Sequence, residues 1–400
     1  MKQNILIINA GSSSIKWTLF DVELNVIAKG LVERIKERKS FLTISIKEEK
    51  HIEQTKLASF DEAVKALIEQ WKKYNVIHDY DDITHISFRI VNGGPHLQET
   101  CSVTETAINH LKDALDLAPV HNKGAIETIE AIQKVFVKTN KTLHFDTTFH
   151  KTLDKVEYAY PIDKELTEKL NIRRYGFHGL NHHYITLKMQ SILGKDKVNI
   201  VNMHIGNGAS LCAIKDSKSF ATSMGFTPLA GIMMGTRSGD VDVSIVPYIV
   251  KHTHYKLDDV MKMLNEKSGL LGVSGVSQDF RDINKLKAEN SDVKFAYDLY
   301  VQKIVDYLAM YLNKFETKPD AIVFTAGVAE NNASLRFDII NKIHFINLKI
   351  NEDANNTTTF DDYKLISDSK SEIAVYVVRA NEELYLAQEA KEILLEEKYD

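Results

Sequence analysis

Cysteine is scarce in this sequence: Cys101 and Cys212 are the only two in 400 residues. No spacing motif surrounds them and no secretory segment precedes them, so they read as free thiols of a reducing compartment. Basic charge is not in excess either. Fifty Lys and Arg against 55 Asp and Glu leave a net charge of −5 and a pI near 6.3, which gives no footprint for nucleic acid or an acidic membrane surface. Long apolar runs are missing as well. No stretch approaches the ~20 residues of a membrane helix, and Ile5–Ile8 is too short for a signal peptide. The expectation is a cytoplasmic protein with neither membrane nor nucleic-acid partner. No low-complexity linker interrupts the chain, so any domain boundary must be a tight crossing.

What is present is enough apolar material, 44% of residues, to fill the cores of two domains. The most informative stretch is Val198–Ile214. An apolar run ends at Ile205, turns through Gly206-Asn207-Gly208-Ala209-Ser210 and resumes, which is the pattern of a β-hairpin with a glycine turn. Small residues let the backbone approach a ligand closely, and unpaired N–H groups in such a turn can face an anion. The chain does this twice. Asn4–Asn9 leads into Ala10-Gly11-Ser12-Ser13-Ser14, and Ile15–Phe20 leads out.

The first hairpin should continue as an antiparallel meander through Phe41–Ile46 and His51–Gln54. Ser59-Phe60-Asp61-Glu62 is a capping box, with Phe60, Val64, Leu67, Ile68 and Trp71 on one helical face. Thr84–Val91 is strand-like and breaks at Asn92-Gly93-Gly94-Pro95, placing Arg89 beside a loop. Leu117–Asn122 leads to a helix carrying Ile126, Ile129, Ile132 and Phe136. Leu143–Phe145 is a buried strand ending at Asp146, and polar residues just past a strand's carboxyl end are where α/β sheets bind ligands. The stretch 173–179 is too glycine-broken for a helix. Thr222–Asp242, Ser268–Arg281 and Thr325–Asn332 read as loops. A long helix with Tyr297, Val301, Ile304, Leu308, Leu312 and Phe315 on one stripe precedes strand Ala321–Phe324. Ile373–Val378 is a last strand and Glu382–Glu396 a last helix.

One small-residue hairpin per half, with a late strand–glycine–helix unit at Ala321–Ile340, suggests two related domains closing over a nucleotide. Neither turn is a P-loop, since the Walker spacing is missing, and neither opens a helix as a Rossmann turn does. Each hairpin turn would hold phosphate and the late glycine turn the adenosine.

These residues carry a resemblance to the acetate kinase family, of the acetate and propionate kinase group within the actin, hexokinase and Hsp70 superfamily. The match is collinear through Asn9–Lys16, Arg89–Gly94, Ala118–Asn122, Phe145–His150, Tyr175–Gly179, His204–Ser210, Thr222–Pro228, Met233–Asp242, Ser268–Arg281, Thr325–Asn331 and Asn381–Glu383. It implies an α/β fold of two duplicated actin-like (ribonuclease H-like) domains with an active-site cleft between them. The domains would be 1–150 with 382–400, and 151–381 carrying the nucleotide site. It implies phosphoryl transfer between ATP and acetate, giving acetyl phosphate and ADP. A propionate-preferring enzyme and a weakened ATP-binding sensor are the alternatives.

By the same resemblance Arg89, Asp146, His178 and Arg237 are catalytic. Arg89 also belongs to the acetate site, with Val91, Val120, Phe177 and Pro228 around the methyl group. Ser12, Ser14, Lys16, Asn207 and Gly208 match the phosphate-loop positions, and His204, Ile205 and Gly206 count with them as nucleotide-binding. Asp279, Phe280, Arg281, Gly327, Val328 and Asn331 match the nucleoside positions, and Ala329 and Glu330 of the same loop count as nucleotide-binding. Asn9 and Glu382 would serve Mg²⁺, with Mn²⁺ as an alternative and Asp146 acting through water. Relatives are homodimers, so a homodimer is expected.

The chain also departs from the family pattern. Phe88 and Asn92 stand where histidines flank the Arg89 strand end, which puts the setting of Arg89 in question. Ala329 replaces a glycine, and a positive φ there would be strained by roughly 1 kcal/mol. Val120 replaces a leucine, which would leave room for propionate at a cost of about 1 kcal/mol of contact with acetate.

Overall fold

The computed structural model describes residues 3–357 and 359–396, and all of their side chains but those of 119–121 and 395–396. The chain divides into two units, Met1–Thr148 with Asn381–Asp400, and Phe149–Ala380.

In the first unit, β1 (Asn4–Ala10) and β2 (Ile15–Phe20) form the expected hairpin, joined antiparallel from Ile5↔Phe20 to Ala10↔Ile15. The meander continues through β3 (Val26–Glu33), β4 (Ser40–Ile46) and β5 (Glu49–Thr55). β6 (Ile83–Ile90) and β8 (Asn140–Phe145) lie on the other side of β1, with the short β7 (Cys101–Ser102) at the edge. The order is β5-β4-β3-β2-β1-β6-β8-β7. β6 and β8 run parallel to β1. Such parallel central strands are covered on both faces, which is why β1 reads as a nearly continuous apolar run.

Helix Phe60–Lys73 starts with half of the expected capping box, the Glu62 carboxylate reaching past the Ser59 N–H to the residue before it. Ser59 Oγ accepts from the Glu62 N–H at 3.2 Å, and the Glu62 carboxylate accepts from the N–H of Ala58 at 2.7 Å. Its face carries Trp71 to Trp17 of β2, the rings meeting edge-on at 5.0 Å. Opposite Trp17 in the ladder is Gly30. A Cβ there would lie 2.7 Å from the Trp17 ring and 2.2 Å from the Thr43 carbonyl oxygen; the indole occupies the space a side chain would need.

The second unit repeats the plan with β9 (Ile200–Ile205), β10 (Ala209–Lys215), β11 (Lys218–Thr222), β12 (Ala321–Thr325), β13 (Tyr363–Leu365) and β14 (Ala374–Val378). Its order is β11-β10-β9-β12-β14-β13. β3-β2-β1-β6-β8 and β11-β10-β9-β12-β14 are thus the same motif: a three-stranded antiparallel meander whose first strand pairs with a parallel strand, which pairs in turn with another.

Several boundaries differ from expectation. Pro119 opens the helix Pro119–Val135, as its missing N–H and fixed φ allow, and Phe136 is the buried residue just after it. The long helix is Ser291–Leu312, so Phe315 lies beyond it. Two stretches read as loops contain helix, Gly269–Ser274 and Gly327–Asn331, and Phe280 opens another, Phe280–Leu286. Helix Gly179–Leu193 gave no one-sided pattern because its buried residues, among them Leu180, His182, Ile185 and Met189, surround it.

Candidate active site

The ends of three adjacent strands gather the first group of side chains. Asn9 of β1 is the register partner of Arg89 on β6, and Asp146 follows the last residue of β8, its N–H bonded to the Ile90 carbonyl at 2.9 Å. Arg89 therefore reaches Asp146 side by side: Nε donates to Oδ1 at 2.9 Å and Nη2 to Oδ2 at 2.8 Å. Its Nη1 lies 3.2 Å from Glu382 Oε2. Glu382 is the first residue of helix Glu382–Glu396, and Glu383 beside it pairs with Lys16 of β2. Burial penalises the Arg89 charge, but Asp146 and Glu382 more than offset this and hold its pKa up. Burial raises the Glu382 carboxyl; Arg89 lowers it, and Asp146 and Glu383 push it up again.

Three carboxylates thus face two cations, leaving one negative charge in excess. Asp146, Glu382 and the Asn9 amide are hard oxygen donors of the kind Mg²⁺ takes in ones and twos, with water and substrate phosphate completing its shell. No three His, Cys, Asp or Glu side chains cluster as an all-protein cage among the described residues. The donor set fits a nucleotide-bound Mg²⁺.

Phe88 and Asn92 leave Arg89 well placed. Phe88 is buried in the core. Asn92 Oδ1 accepts from the Gly94 N–H at 2.8 Å, and its carbonyl accepts from Asn122 Nδ2 at 2.7 Å. Beside them, helix residue Gly124 lies so close to the first hairpin turn that a Cβ would come within 1.9 Å of the Gly11 carbonyl oxygen. The turn carries Ser12 and Ser14. Its Gly11 N–H is not unpaired as expected: it closes the turn on the Ser14 carbonyl, and Gly206 N–H does the same on Gly208 in the second copy.

In the second unit His178, at φ 57, immediately precedes helix Gly179–Leu193. Its ring stacks on His204 with centroids 4.1 Å apart, and Nδ1 lies 2.9 Å from Ser210 Oγ. Arg237 donates from Nη1 to the Pro228 carbonyl at 3.1 Å, has no carboxylate partner among the described residues, and is pushed down in pKa by burial. The two side chains meet at the hairpin turn: a Cβ on Gly208 would lie 3.4 Å from Arg237 Nη1 and 3.6 Å from His178 Nε2. A glycine there leaves room for a ligand oxygen between two donors.

Next to this turn is a cavity of about 500 Å³. Gly206, Asn207, Asp279, Phe280, Arg281, Gly327, Val328 and Asn331 line it, as the sequence suggested. So do Gly235, Leu270, Gln278, Tyr300 and Asn332, which it did not. Tyr300 lies on the stripe of the long helix and reads as core, yet its buried hydroxyl has no partner among the described residues. Asp279 and Arg281 pair closely at the rim, and hydrogen bonds from Arg281 hold the Asp279 carboxyl at about 2.

Other expected site residues lie elsewhere. Ile205 and Ala329 are fully buried. Ala329 sits inside helix Gly327–Asn331, so the strain expected of it is absent; the positive φ, 72°, belongs to Ala326. Glu330 braces that junction, its Oε1 accepting from the N–H groups of Ala326 and Ala380 at 2.8 Å each. Val91 follows β6 and is half-buried, Phe177 is buried and Pro228 half-buried. The side chain of Val120 lies outside the described residues.

The description "Acetokinase family" matches residues 4–388. The acetate kinase of Mycoplasmopsis pulmonis is 47% identical over 391 residues, which cover 97% of this chain and 99% of that protein. Two solved structures are similar over 98% of this chain, each at 33% identity. They are the acetate kinase of Porphyromonas gingivalis (TM-score 0.92, all of that chain) and a propionate kinase of Francisella tularensis (TM-score 0.91, 99% of that chain).

Proposed function

The chain belongs to the acetokinase family and transfers a phosphoryl group from ATP to acetate, and we propose that Arg89, Arg237 and His178 carry that transfer. Acetate is ionised at neutral pH, its carboxyl pKa being about 4, so no general base is needed. The difficulty is to bring an anion to an anion, which calls for donors and cations around the moving group. Arg89 takes the acetate carboxylate with its planar fork. Arg237 and His178 donate to the equatorial oxygens of the phosphoryl group. The observation that carries this reading is their convergence on Gly208. Val91, Val120, Phe177 and Pro228 surround the methyl group. The product is acetyl phosphate with ADP, and the same groups serve the reverse direction.

The adenosine occupies the 500 Å³ cavity of the second unit, with Asp279, Phe280, Arg281, Gly327, Val328 and Asn331 around it. His204–Gly208 and Ser12, Ser14 and Lys16 serve its phosphates. Glu382, Asn9 and, through water, Asp146 would hold Mg²⁺ or, in its place, Mn²⁺. When bound, the metal neutralises phosphate charge and keeps the phosphates in line. We read the two units as actin-like domains, the boundaries read from sequence, 1–150 with 382–400 and 151–381, lying one or two residues from the division between the units.

We also assign a homodimer and a cytoplasmic location. Helix Ile245–His252 has no buried residue although six of its eight are apolar or aromatic. Together with Val243, 78% exposed, and Leu257, 58% exposed, it offers an apolar face suited to a second copy. ATP as substrate and unpaired Cys101 and Cys212 suit the cytoplasm. No helix among the described residues is long and apolar enough to cross a membrane.

Hydroxylamine trapping of acyl phosphate, with ATP and Mg²⁺ and with acetate, propionate or butyrate, tests the reading. A higher kcat/KM for acetate is expected. A preference for propionate would replace the substrate, and no product with any acid would leave an ATP-binding protein without this activity.

A further inference from the structure

His178 is backed by a row of fully buried polar groups. Its Nδ1 lies 2.9 Å from Ser210 Oγ. The same Oγ lies 2.8 Å from His182 Nε2, and His182 Nδ1 lies 2.9 Å from Asn202 Nδ2. Asn202, His182 and Ser210 are each 0% exposed, so no solvent competes for these bonds.

The row has a direction. An amide nitrogen only donates, so Nδ1 of His182 must accept. Burial, with His150 and His204 nearby, lowers the His182 pKa well below its ordinary value, so the ring is neutral at pH 7. A neutral imidazole that accepts at Nδ1 carries its proton on Nε2 and donates it to Ser210. The Ser210 hydroxyl, accepting from His182, turns its single proton to Nδ1 of His178. His178 in turn carries its proton on Nε2, the atom nearest Gly208.

We propose that Asn202, His182 and Ser210 form a one-way hydrogen-bond chain that fixes His178 as the Nε2–H tautomer, ready to donate to the transferring phosphoryl group. The proposal rests on the reading of His178 as that donor. Ser210, His182 and Asn202 are positioning residues: they act through His178. The opposite tautomer would present a lone pair to a phosphoryl oxygen, repelling the group it should stabilise. The chain also explains polar residues buried within apolar strands. Asn202 in β9 and Ser210 in β10 are costly to bury unless bonded.

Two measurements on the whole protein test this. In Ser210→Ala, kcat should fall about tenfold or more with the KM for ATP changed less than about twofold, whereas Ser210→Thr, which keeps the hydroxyl, should restore most of the rate. ¹⁵N NMR of histidine-labelled protein reads the tautomer directly, with His178 assigned by its missing signals in His178→Gln. Wild type should show the Nε2–H form at pH 7, and Ser210→Ala a mixture. A wild-type His178 found as the Nδ1–H form or as imidazolium at pH 7 would overturn the chain, as would Ser210→Ala with unchanged kcat and an unchanged tautomer. A tautomer that shifts while kcat does not would uphold the chain and overturn the catalytic reading of His178 instead.

Discussion

Arg89 and Asp146 face each other across adjacent strands through two parallel bonds, Nε to Oδ1 at 2.9 Å and Nη2 to Oδ2 at 2.8 Å. The pairing fixes the plane of the guanidinium and leaves Nη1 toward Glu382. Asp146 is 2% exposed and Arg89 19%, so the pair is shielded enough for its geometry to matter. Arg89→Ala strands a buried carboxylate and should destabilise the protein by about 3 kcal/mol. Arg89→Lys keeps the charge but loses the fork, so it should melt within a few degrees of wild type while kcat/KM for acetate falls roughly 100-fold. Thermal melts and acetate kinetics on both variants check this. A lysine variant with full activity would remove the fork from the argument.

Arg237 is the contrasting case. It bonds to a carbonyl and has no carboxylate partner among the described residues, so the fold does not depend on its charge. Arg237→Ala should lose roughly 10²- to 10³-fold in kcat with a stability change within about 1 kcal/mol. Chemical denaturation and steady-state rates measured side by side separate the two effects. Turnover near wild type in the alanine variant would exclude Arg237 from the transfer.

How far the sequence foretold this arrangement depended on local pattern. The hairpin turns at Gly11 and Gly206, the strand ends at Arg89 and Asp146, and the N-cap at Ser59 are short-range signals, and each appears where spacing put it. Tyr300, Gln278 and Gly235 were not legible, because what makes them line the cavity is tertiary: Tyr300 belongs to a core-facing helical stripe and differs from its neighbours only in an unbonded hydroxyl. Helix Gly179–Leu193 escaped because burial on several sides erases the 3.6-residue period. The strain placed at Ala329 lies three residues earlier, at Ala326; a small-residue strand–helix junction announces a special φ without saying which residue carries it.

Buried histidines give the stability a pH dependence of predictable sign. His85 is 0% exposed; burial above all, with His144 and Lys141 adding to it, lowers its pKa to about 4. Below pH 6.5 the unfolded chain takes up a proton that native His85 refuses until about pH 4, so its contribution is full above 6.5 and is lost as pH falls. His182 acts in the same direction. His85 costs up to ~1.4 kcal/mol per pH unit in that window. The melting temperature should therefore drop between pH 7 and pH 5, and His85→Asn should close part of its gap to wild type over the same range. A gap independent of pH would mean that native His85 takes up its proton as readily as the unfolded chain does.

Gly327 separates space needed by the fold from space needed by a ligand. It opens helix Gly327–Asn331 at the cavity wall, its φ is negative, and no atom lies within 4 Å of where a Cβ would be. By itself Gly327→Ala should therefore leave the protein as stable as wild type or more stable by up to ~1 kcal/mol, since alanine restricts the unfolded chain and favours a helix. If adenosine packs against that wall, the same methyl group occupies its place, and the KM for ATP should rise about tenfold while the KM for acetate stays put. Gly124→Ala is the opposite control: its Cβ would lie 1.9 Å from the Gly11 carbonyl oxygen, so the fold should suffer before any ligand does. Melting curves with ATP and acetate titrations on both variants make the comparison. Gly327→Ala with an unchanged KM for ATP would move the adenosine away from this wall.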